Sequence, residues 1–305
     1  MAILFRSKDK SGESGSGATN KVLKYILMNE KVGKGEIKAL HVEVKKSTHK
    51  KSCIIAEQVH VNEHYGEIVG GDVEINYIKG GRVAANTVKV NSLQDGEIKA
   101  NHIHINDLGS NNKIISANTI EINNIKGVKN SLVIKPPIDE NILNKLSNLY
   151  DRVTLFKKEL NKTSDQLEQK LKDIEGQKRD AQMHMAEIEK MRQEGNIPNI
   201  DSLMCVKEFN MSTREYDTLI EAIKGLERYI KEDEYELTKL QDDIILNNKI
   251  IINSSCKENN NILFVLPECE LEYNIAKHDN ISEIYLKYIG NNKFQLEIKR
   301  REEQQ

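Results

Sequence analysis

His102 and His104 come nearest, among the residues of this chain, to the pattern that metal-ion chemistry needs. Residues two apart on an extended strand project from one face, so the two imidazoles would point outward together. His60 falls two coils away from His104 in the repeat described below. The residue aligned beside His104 is Lys89, and no carboxylate converges there, so the expected state is solvated histidines in a strand ladder. Cys53, Cys205, Cys256 and Cys269 are far apart, with no Cys-x-x-Cys pair. They read as reduced thiols and not as a disulfide framework or a zinc site. Lys45-Lys46 and Lys50-Lys51 flank a long turn, either as a polyanion or lipid contact or as a solvated loop. Gly66, Gly70, Gly71, Gly80, Gly81 and Gly96 belong to turns and form no phosphate-binding loop. No Ser/His/Asp or Cys/His constellation stands out. No catalytic residue, no cofactor and no metal is expected: a non-enzymatic protein.

Composition points the same way. The chain has 305 residues, 38% hydrophobic, 30% charged and 5% aromatic, with no Trp. That leaves little bulky apolar surface for a thick enzyme core. A net charge of -2 sets up no global field toward nucleic acid or anionic lipid. No apolar run approaches the roughly 20 residues that span a bilayer, and Met1 to Phe5 is too short for a signal-peptide core. The expected location is the cytoplasm. Met1 to Phe5, followed by Arg6, Lys8 and Lys10, could add a weak peripheral membrane contact.

Any outward-facing side chain here must be positioned by an internal repeat that runs from Ile37 to Ile122. Its frame is aliphatic, small, then two aliphatics. It reads Ile37/Ala39/Val42/Val44, Ile54/Ala56/Val59/Val61, Ile68/Gly70/Val73/Ile75, Val83/Ala85/Val88/Val90, Ile98/Ala100/Ile103/Ile105 and Ile115/Ala117/Ile120/Ile122. The first residues are 17, 14, 15, 15 and 17 apart. Two short period-2 strands per repeat, joined by a two-residue corner, would point these side chains into a narrow interior. The small residue sits beside the corner, and Asn86, Asn101 and Asn118 occupy the corner, where Asn can bond to its counterpart in the next coil. Stacked coils then bury a continuous aliphatic column. The outward residues Glu43, His60, Glu74, Lys89, His104 and Glu121 form a ladder of mostly alternating acid and base, a self-paired face. Ser131 to Ile134 has the spacing of a seventh, closing coil.

From Ile142 the period changes to heptads. Ile142, Leu146, Leu149, Val153, Phe156, Leu160, Thr163 and Leu167 are followed, after a four-residue stutter, by Leu171, Ile174, Ala181, Met185 and Ile188. A second helix is expected to open at the capping box Ser212-Thr213-Arg214-Glu215 and to bury Leu219, Ile223, Leu226, Ile230, Asp233, Leu237, Leu240 and Ile244. Asp233 would be a register device or an exposed break. A linker over 195–210, with Pro198, lets the chain reverse, so an antiparallel hairpin ranks ahead of an intermolecular coiled coil. Strands are expected at 250–252, 262–266, 270–275, 284–289 and 294–298. Phe264, Tyr273, Tyr285, Tyr288 and Phe294 would cap the solenoid end.

The resulting fold class is mainly β with α: a right-handed β-solenoid, a long antiparallel coiled-coil hairpin and C-terminal closing strands. The division is a disordered tail at 1–20, solenoid at 21–137, helical hairpin at 138–248, a β segment at 249–300 that caps or extends the solenoid, and a tail at 301–305. This order, with repeats such as Gly66-Glu67-Ile68-Val69-Gly70-Gly71-Asp72-Val73-Glu74-Ile75 and the returning segment Leu266-Pro267-Glu268-Cys269-Glu270-Leu271, resembles the bacterial flagellar assembly protein A family. Glu268 stands where that family usually has Gly. The repeats and the Met-Ala-Ile-Leu-Phe start are also similar to bactofilins, membrane-tethered polymers of a right-handed β-helix. The first resemblance implies a cytoplasmic scaffold in flagellum assembly or cell-pole organisation. It would act through protein partners on the helical arm and the solenoid face, with no nucleic acid. The second implies a self-assembling cytoskeletal element, hence a homo-oligomer.

Overall fold

The computed structural model describes residues 23–254, 256–276, 279–291 and 293–301. The tail at 1–20, with Met1 to Phe5, lies outside the described residues. The chain divides into two units, 1–142 with 241–305, and 143–240.

The first unit is a β-solenoid of about seven turns. Strands β1 (Leu23–Met28), β2 (Gly35–Ser47), β3 (Ser52–His64), β4 (Glu67–Lys79), β5 (Arg82–Gln94), β6 (Glu97–Leu108) and β7 (Lys113–Ile125) each lie parallel to the next. The repeat frame is the register: Ile54, Ile68, Val83 and Ile98 pair in succession, as do Val59, Val73, Val88 and Ile103. The small position is small because the interior is narrow. A Cβ on Gly70 would come within 2.8 Å of the Ala56 carbonyl oxygen.

Three details differ from the sequence reading. Each repeat is one continuous strand, bent at its corners, and not two. A fifth inward position follows, held by Ile78, Leu93, Leu108 and Ile125, all buried. The sixth repeat is shifted: Ile114 and Ser116, not Ile115 and Ala117, pair with Ile98 and Ala100, and the strand is irregular between Ala100 and His102. The extra residue is absorbed at the corner because the Ser116 hydroxyl donates to the Asn101 carbonyl at 2.6 Å and accepts from the Asn118 amide at 3.1 Å.

Nor does the solenoid close at residue 134. Strand β8 (Ser131–Ile134) pairs with the first part of β7, ending with Ile134 against Ser116. Both helices follow, and then β9 (Lys249–Ile252) pairs with the next part of the same strand, beginning with Lys249 against Thr119. β8 and β9 are therefore two pieces of one coil. Strand β10 (Asn261–Val265) then stacks parallel on β8. The C-terminal segment extends the solenoid before it caps it.

The cap works by reversing polarity. β11 (Glu270–Asn274) lies antiparallel on β10; β12 (Ile281–Gly290) lies antiparallel on β9 and carries β13 (Lys293–Arg300) antiparallel on its far side. Of the five aromatics expected to cap the end, Phe264, Tyr285, Tyr288 and Phe294 are buried there, while Tyr273 on β11 is only half-buried. Burial pushes the Glu283 carboxyl up, but Lys299 at 2.8 Å and Lys249 at 3.1 Å outweigh it and hold the group below the usual carboxylate range.

In the second unit, α1 (Glu140–Gln193) starts on an Asp139 cap, whose carboxylate accepts the Ile142 amide at 2.8 Å. It ends at Gly195, which has a φ of 74°. α2 (Ile200–Asn247) begins twelve residues ahead of the expected capping box: Asn199 caps it, accepting the Asp201 amide at 3.2 Å. The linker is correspondingly short. Ser212 and Thr213 lie mid-helix, with the Thr213 hydroxyl turned back to the Phe209 carbonyl. Contact partners run in opposite directions along the two helices: Arg152 with Asp233, Phe156 with Tyr229, Lys170 with Glu215, and Glu187 with Ser202.

The less exposed positions of α1 keep an unbroken 3-4 spacing from Leu146 through Leu167, Lys170, Ile174, Gln177, Ala181 and His184 to Ile188. There is no stutter. Leu171 and Met185, expected inside, are 40% and 38% exposed. On α2 the expected stripe from Leu219 to Leu240 holds, and it extends back through Tyr216, Ser212, Phe209 and Cys205 to Ser202.

Candidate functional site

The outward face of the solenoid wall that holds the second half of each repeat carries a registered polar column. Its central column runs Glu43, His60, Glu74, Lys89, His104, Glu121 in register. His60 Nδ1 lies 3.2 Å from Glu74, and His104 Nδ1 lies 3.3 Å from Glu121. A carboxylate thus does stand beside His104, contrary to the sequence reading. His60 and His104 are three rungs apart, not two. His102 turns to Asn118, 3.3 Å away. His102 and His104 therefore engage different partners, and among the described residues no group of three or more His, Cys, Asp or Glu side chains is placed to hold a metal ion. At the upper end Tyr25 stacks on His41 at 4.8 Å, and His41 approaches His60 at 5.5 Å. A trough of about 380 Å³ lies over this face between the Gln58/Asp72/Thr87 and His60/Glu74/Lys89 columns. The side chains of His60 and Glu74 are 49% and 63% exposed, so water screens their pairing.

Two asparagine ladders hold the corners that aim these side chains. On the surface, Asn62, Asn76, Asn91, Asn106, Asn123 and Asn253 bond in sequence, each amide donating to the carbonyl oxygen of the coil before it. Inside, Asn112, Asn130 and Asn260 are almost fully buried. Asn130 Oδ1 accepts Asn112 Nδ2 at 2.8 Å, Asn260 Oδ1 accepts Asn130 Nδ2 at 2.8 Å, and Asn112 Oδ1 accepts the Gly96 amide at 2.9 Å. Both ladders bridge the gap in sequence that the helices open. Of the expected corner residues, Asn101 does bond to Asn86 at 2.8 Å, whereas Asn118 is displaced by the irregular sixth repeat. The surface ladder was missed in the sequence, where Asn86, Asn101 and Asn118 were the expected corner residues, although it left a signal: each member directly follows the last aliphatic of a repeat. The buried one was hidden because Gly66, Gly81 and Gly96 hold the same position in earlier coils.

His64 occupies the fifth inward column, directly before Ile78, and is fully buried. Its Nε2 donates to the Arg82 carbonyl at 3.2 Å, and its Nδ1 accepts the Thr48 hydroxyl at 3.0 Å. Thr48 Oγ1 in turn accepts the Tyr65 amide at 2.9 Å. This network suits the neutral ring, and burial lowers its pKa from 6.5 to about 4 against the opposing pull of the carbonyls of Arg82 and Gly66.

The remaining candidates stay apart from one another. Lys45, Lys46, Lys50 and Lys51 are exposed. Burial raises the Cys53 and Cys256 thiols above their ordinary range, Cys53 further by Glu67 and Glu36, which disfavours the reactive thiolate. Asp233 is buried in the helical unit; Arg152 reaches its Oδ1 at 2.8 Å, while its Oδ2 has no protein partner. Among the described residues no helix is long and apolar enough to cross a membrane. Comparisons with protein-family models, curated proteins and solved structures give no match to this chain.

Proposed function

We propose that the protein is a non-enzymatic cytoplasmic scaffold, in which a right-handed solenoid carries an antiparallel coiled-coil arm that recruits protein partners. The resemblance to the flagellar assembly protein A family points to flagellum assembly or cell-pole organisation. The observation that carries this reading is where the helices enter. They interrupt a single coil between Ile134 and Lys249, whose partners Ser116 and Thr119 are joined in β7 by two residues alone. A long helical pair that replaces a two-residue corner contributes nothing the stacking needs, so its retention implies work outside the stack. Replacing 135–248 by Ala-Asn, the corner of β7, should leave a folded solenoid by circular dichroism and hydrogen exchange and abolish motility or polar localisation. Unchanged motility in a flagellated host would sink the proposal.

A second reading, a bactofilin-like homo-oligomer with peripheral membrane attachment, is favoured by one observation. Among the described residues β1 has a ladder partner on one side only, while β11 and β12 cover the opposite end. Concentration-dependent filaments in electron micrographs would support it; a strict monomer at high concentration would remove it.

A further inference from the structure

We infer that, independently of the helical arm, the turns joining β1 to β2 and β2 to β3 form a lysine surface that docks on the anionic headgroups of a lipid bilayer. Residues 44–52 read Val-Lys-Lys-Ser-Thr-His-Lys-Lys-Ser, without an acid, and the turn before them adds Lys31 and Lys34. The two turns are stacked on adjacent coils. The Val32 amide donates to the Ser47 carbonyl at 2.8 Å, and the Gly35 amide to the Lys51 carbonyl at 3.2 Å. Lys31, Lys34, Lys45, Lys46, Lys50 and Lys51 are all exposed, on rungs about 4.8 Å apart. Among the described residues none of the six has a carboxylate within ion-pairing distance. In later turns the bases are neutralised: Arg82 and Lys113 reach Glu97 at 3.6 and 4.0 Å, and Lys126 reaches Asp107 at 2.8 Å. Of the acids on β1, β2 and the turn between them, Glu36 is engaged by Lys38 at 2.8 Å and Glu43 by the Tyr25 hydroxyl at 2.6 Å, which leaves Glu30 against six lysines.

The second of these turns is built to hold its lysines out. It belongs to a coil of 17 residues from Ile37 to Ile54, three more than the 14 from Ile54 to Ile68 on which the next coil closes. The added length is pinned from inside. Buried Thr48 donates its hydroxyl to His64 Nδ1 at 3.0 Å and accepts the Tyr65 amide at 2.9 Å. The His49 carbonyl accepts the Ser52 amide at 2.9 Å and the Ser52 hydroxyl at 2.7 Å, while His49 Nδ1 accepts the Lys51 amide at 3.0 Å. The lysine side chains make none of these bonds. Charge and residue type select the occupant. All six bases are Lys and none is Arg, and the two turns hold no Phe, Tyr or Trp. They therefore lack the planar fork and the stacking rings that recognise nucleic acid. Point charges on flexible stems, set on an outer corner of the solenoid, suit the diffuse charge of a headgroup plane, at about fivefold in affinity per Lys near the surface. Leu23 and Leu40, each 40% exposed on the same first coils, add the apolar component of interfacial binding. A second copy set end to end at β1 would bring two basic ends together, which like-charge repulsion opposes.

The test is co-sedimentation of the full chain with vesicles of phosphatidylcholine alone and of phosphatidylcholine with phosphatidylserine in a two-to-one ratio. The chain should bind the serine-lipid vesicles only, and less as salt is raised. The variant Lys31→Gln/Lys34→Gln/Lys50→Gln/Lys51→Gln should bind them at least about tenfold more weakly. Its four sites are exposed and their side chains make no internal bond, so an unchanged thermal melt by circular dichroism should accompany the loss. Equal binding to the two vesicles, or undiminished binding by the lysine variant, overturns the proposal. So does loss of binding in Ile3→Ser/Phe5→Ser while the lysine variant keeps it, since the attachment would then lie in the first residues. Displacement by inorganic phosphate beyond that by chloride of equal ionic strength would assign the turns to free phosphate instead. Tighter binding of a DNA duplex than of the vesicles, lost in the lysine variant, would assign them to nucleic acid; either result overturns the lipid assignment.

Discussion

His64 should make the first coils of the solenoid acid-sensitive, to a degree set by its burial. In the fold its pKa is about 4, against 6.5 when unperturbed. The unfolded chain therefore takes up the proton first, so the stability of this region is full above the unperturbed value and falls as pH drops toward the folded one. The loss at pH 5 is about 2 kcal/mol, and it tends to about 3 kcal/mol well below pH 4. Its origin is the burial of the charged ring, since the neutral form already satisfies both nitrogens on the Thr48 hydroxyl and the Arg82 carbonyl. The assay is amide hydrogen exchange at pH 7.5 and pH 5, corrected for intrinsic rates, on the wild type and on His64→Leu, which copies Leu93 and Leu108 in the same column. Protection in β2 to β4 of the wild type should fall about 30-fold relative to the variant, the equivalent of those 2 kcal/mol. The other seven histidines are common to both proteins and cancel in the comparison. Equal pH dependence in the two proteins would show that His64 does not titrate as its burial requires.

Two further perturbations test the packing. Asn130→Ala removes the middle of the buried ladder, taking the acceptor from the backbone and side-chain amides of Asn112 and a donor from the Gly109 carbonyl and Asn260 Oδ1; it should cost about 2–4 kcal/mol by denaturant midpoint. Asn91→Ala in the exposed ladder should cost less than about 1 kcal/mol, and equal losses at the two sites would contradict the burial argument. In the helical unit, Asp233→Leu should raise stability by about 1–2 kcal/mol in thermal melts, whereas Arg152→Ala should lower it by stranding a buried carboxylate. A destabilised Asp233→Leu would mean that the carboxylate fixes the register of the pair.

The solenoid was legible because its repeat is aliphatic, in register and free of competing patterns. It failed in the sixth repeat, where the polar Ser116 took an inward position, and it missed the fifth inward column of Ile78, Leu93, Leu108 and Ile125, which opens on the polar His64. A pattern of apolar residues cannot register a polar group whose hydrogen bonds are made inside the structure. The helices show the converse. The stutter read at Leu167 to Leu171 followed the apolar residues faithfully, but the backbone kept its heptad and let Lys170, Gln177 and His184 into the seam. The late start assigned to α2 has the same cause, since Ser202, Cys205 and Ser212 do not look like core. At the candidate site the column order was legible, but the distances were not. Which carboxylate reaches which imidazole depends on rotamers and on the single extra residue at the sixth corner.

Why a solenoid should tolerate more than a hundred residues inserted into one coil follows from how its stability is distributed. Each coil pairs only with its two neighbours, so the folding energy is a sum of local terms. An insertion at a corner interrupts the chain without interrupting any ladder, provided that both cut ends find their register. Here they are held independently: Ile134 against Ser116 and Phe264 on one wall, Lys249 against Thr119 on the next. The loop-closure cost of a long excursion grows only with the logarithm of its length, and a helical pair whose ends lie close together reduces it further. The asparagine ladders supply what sequence continuity no longer does. Asn260 bonds to Asn130, and Asn253 to Asn123, each across 130 residues of chain. A corner is thus the place where this fold can acquire a new surface at least cost to its core, and the polar ladders at the corners are the means by which the returning strand finds its own rung and no other.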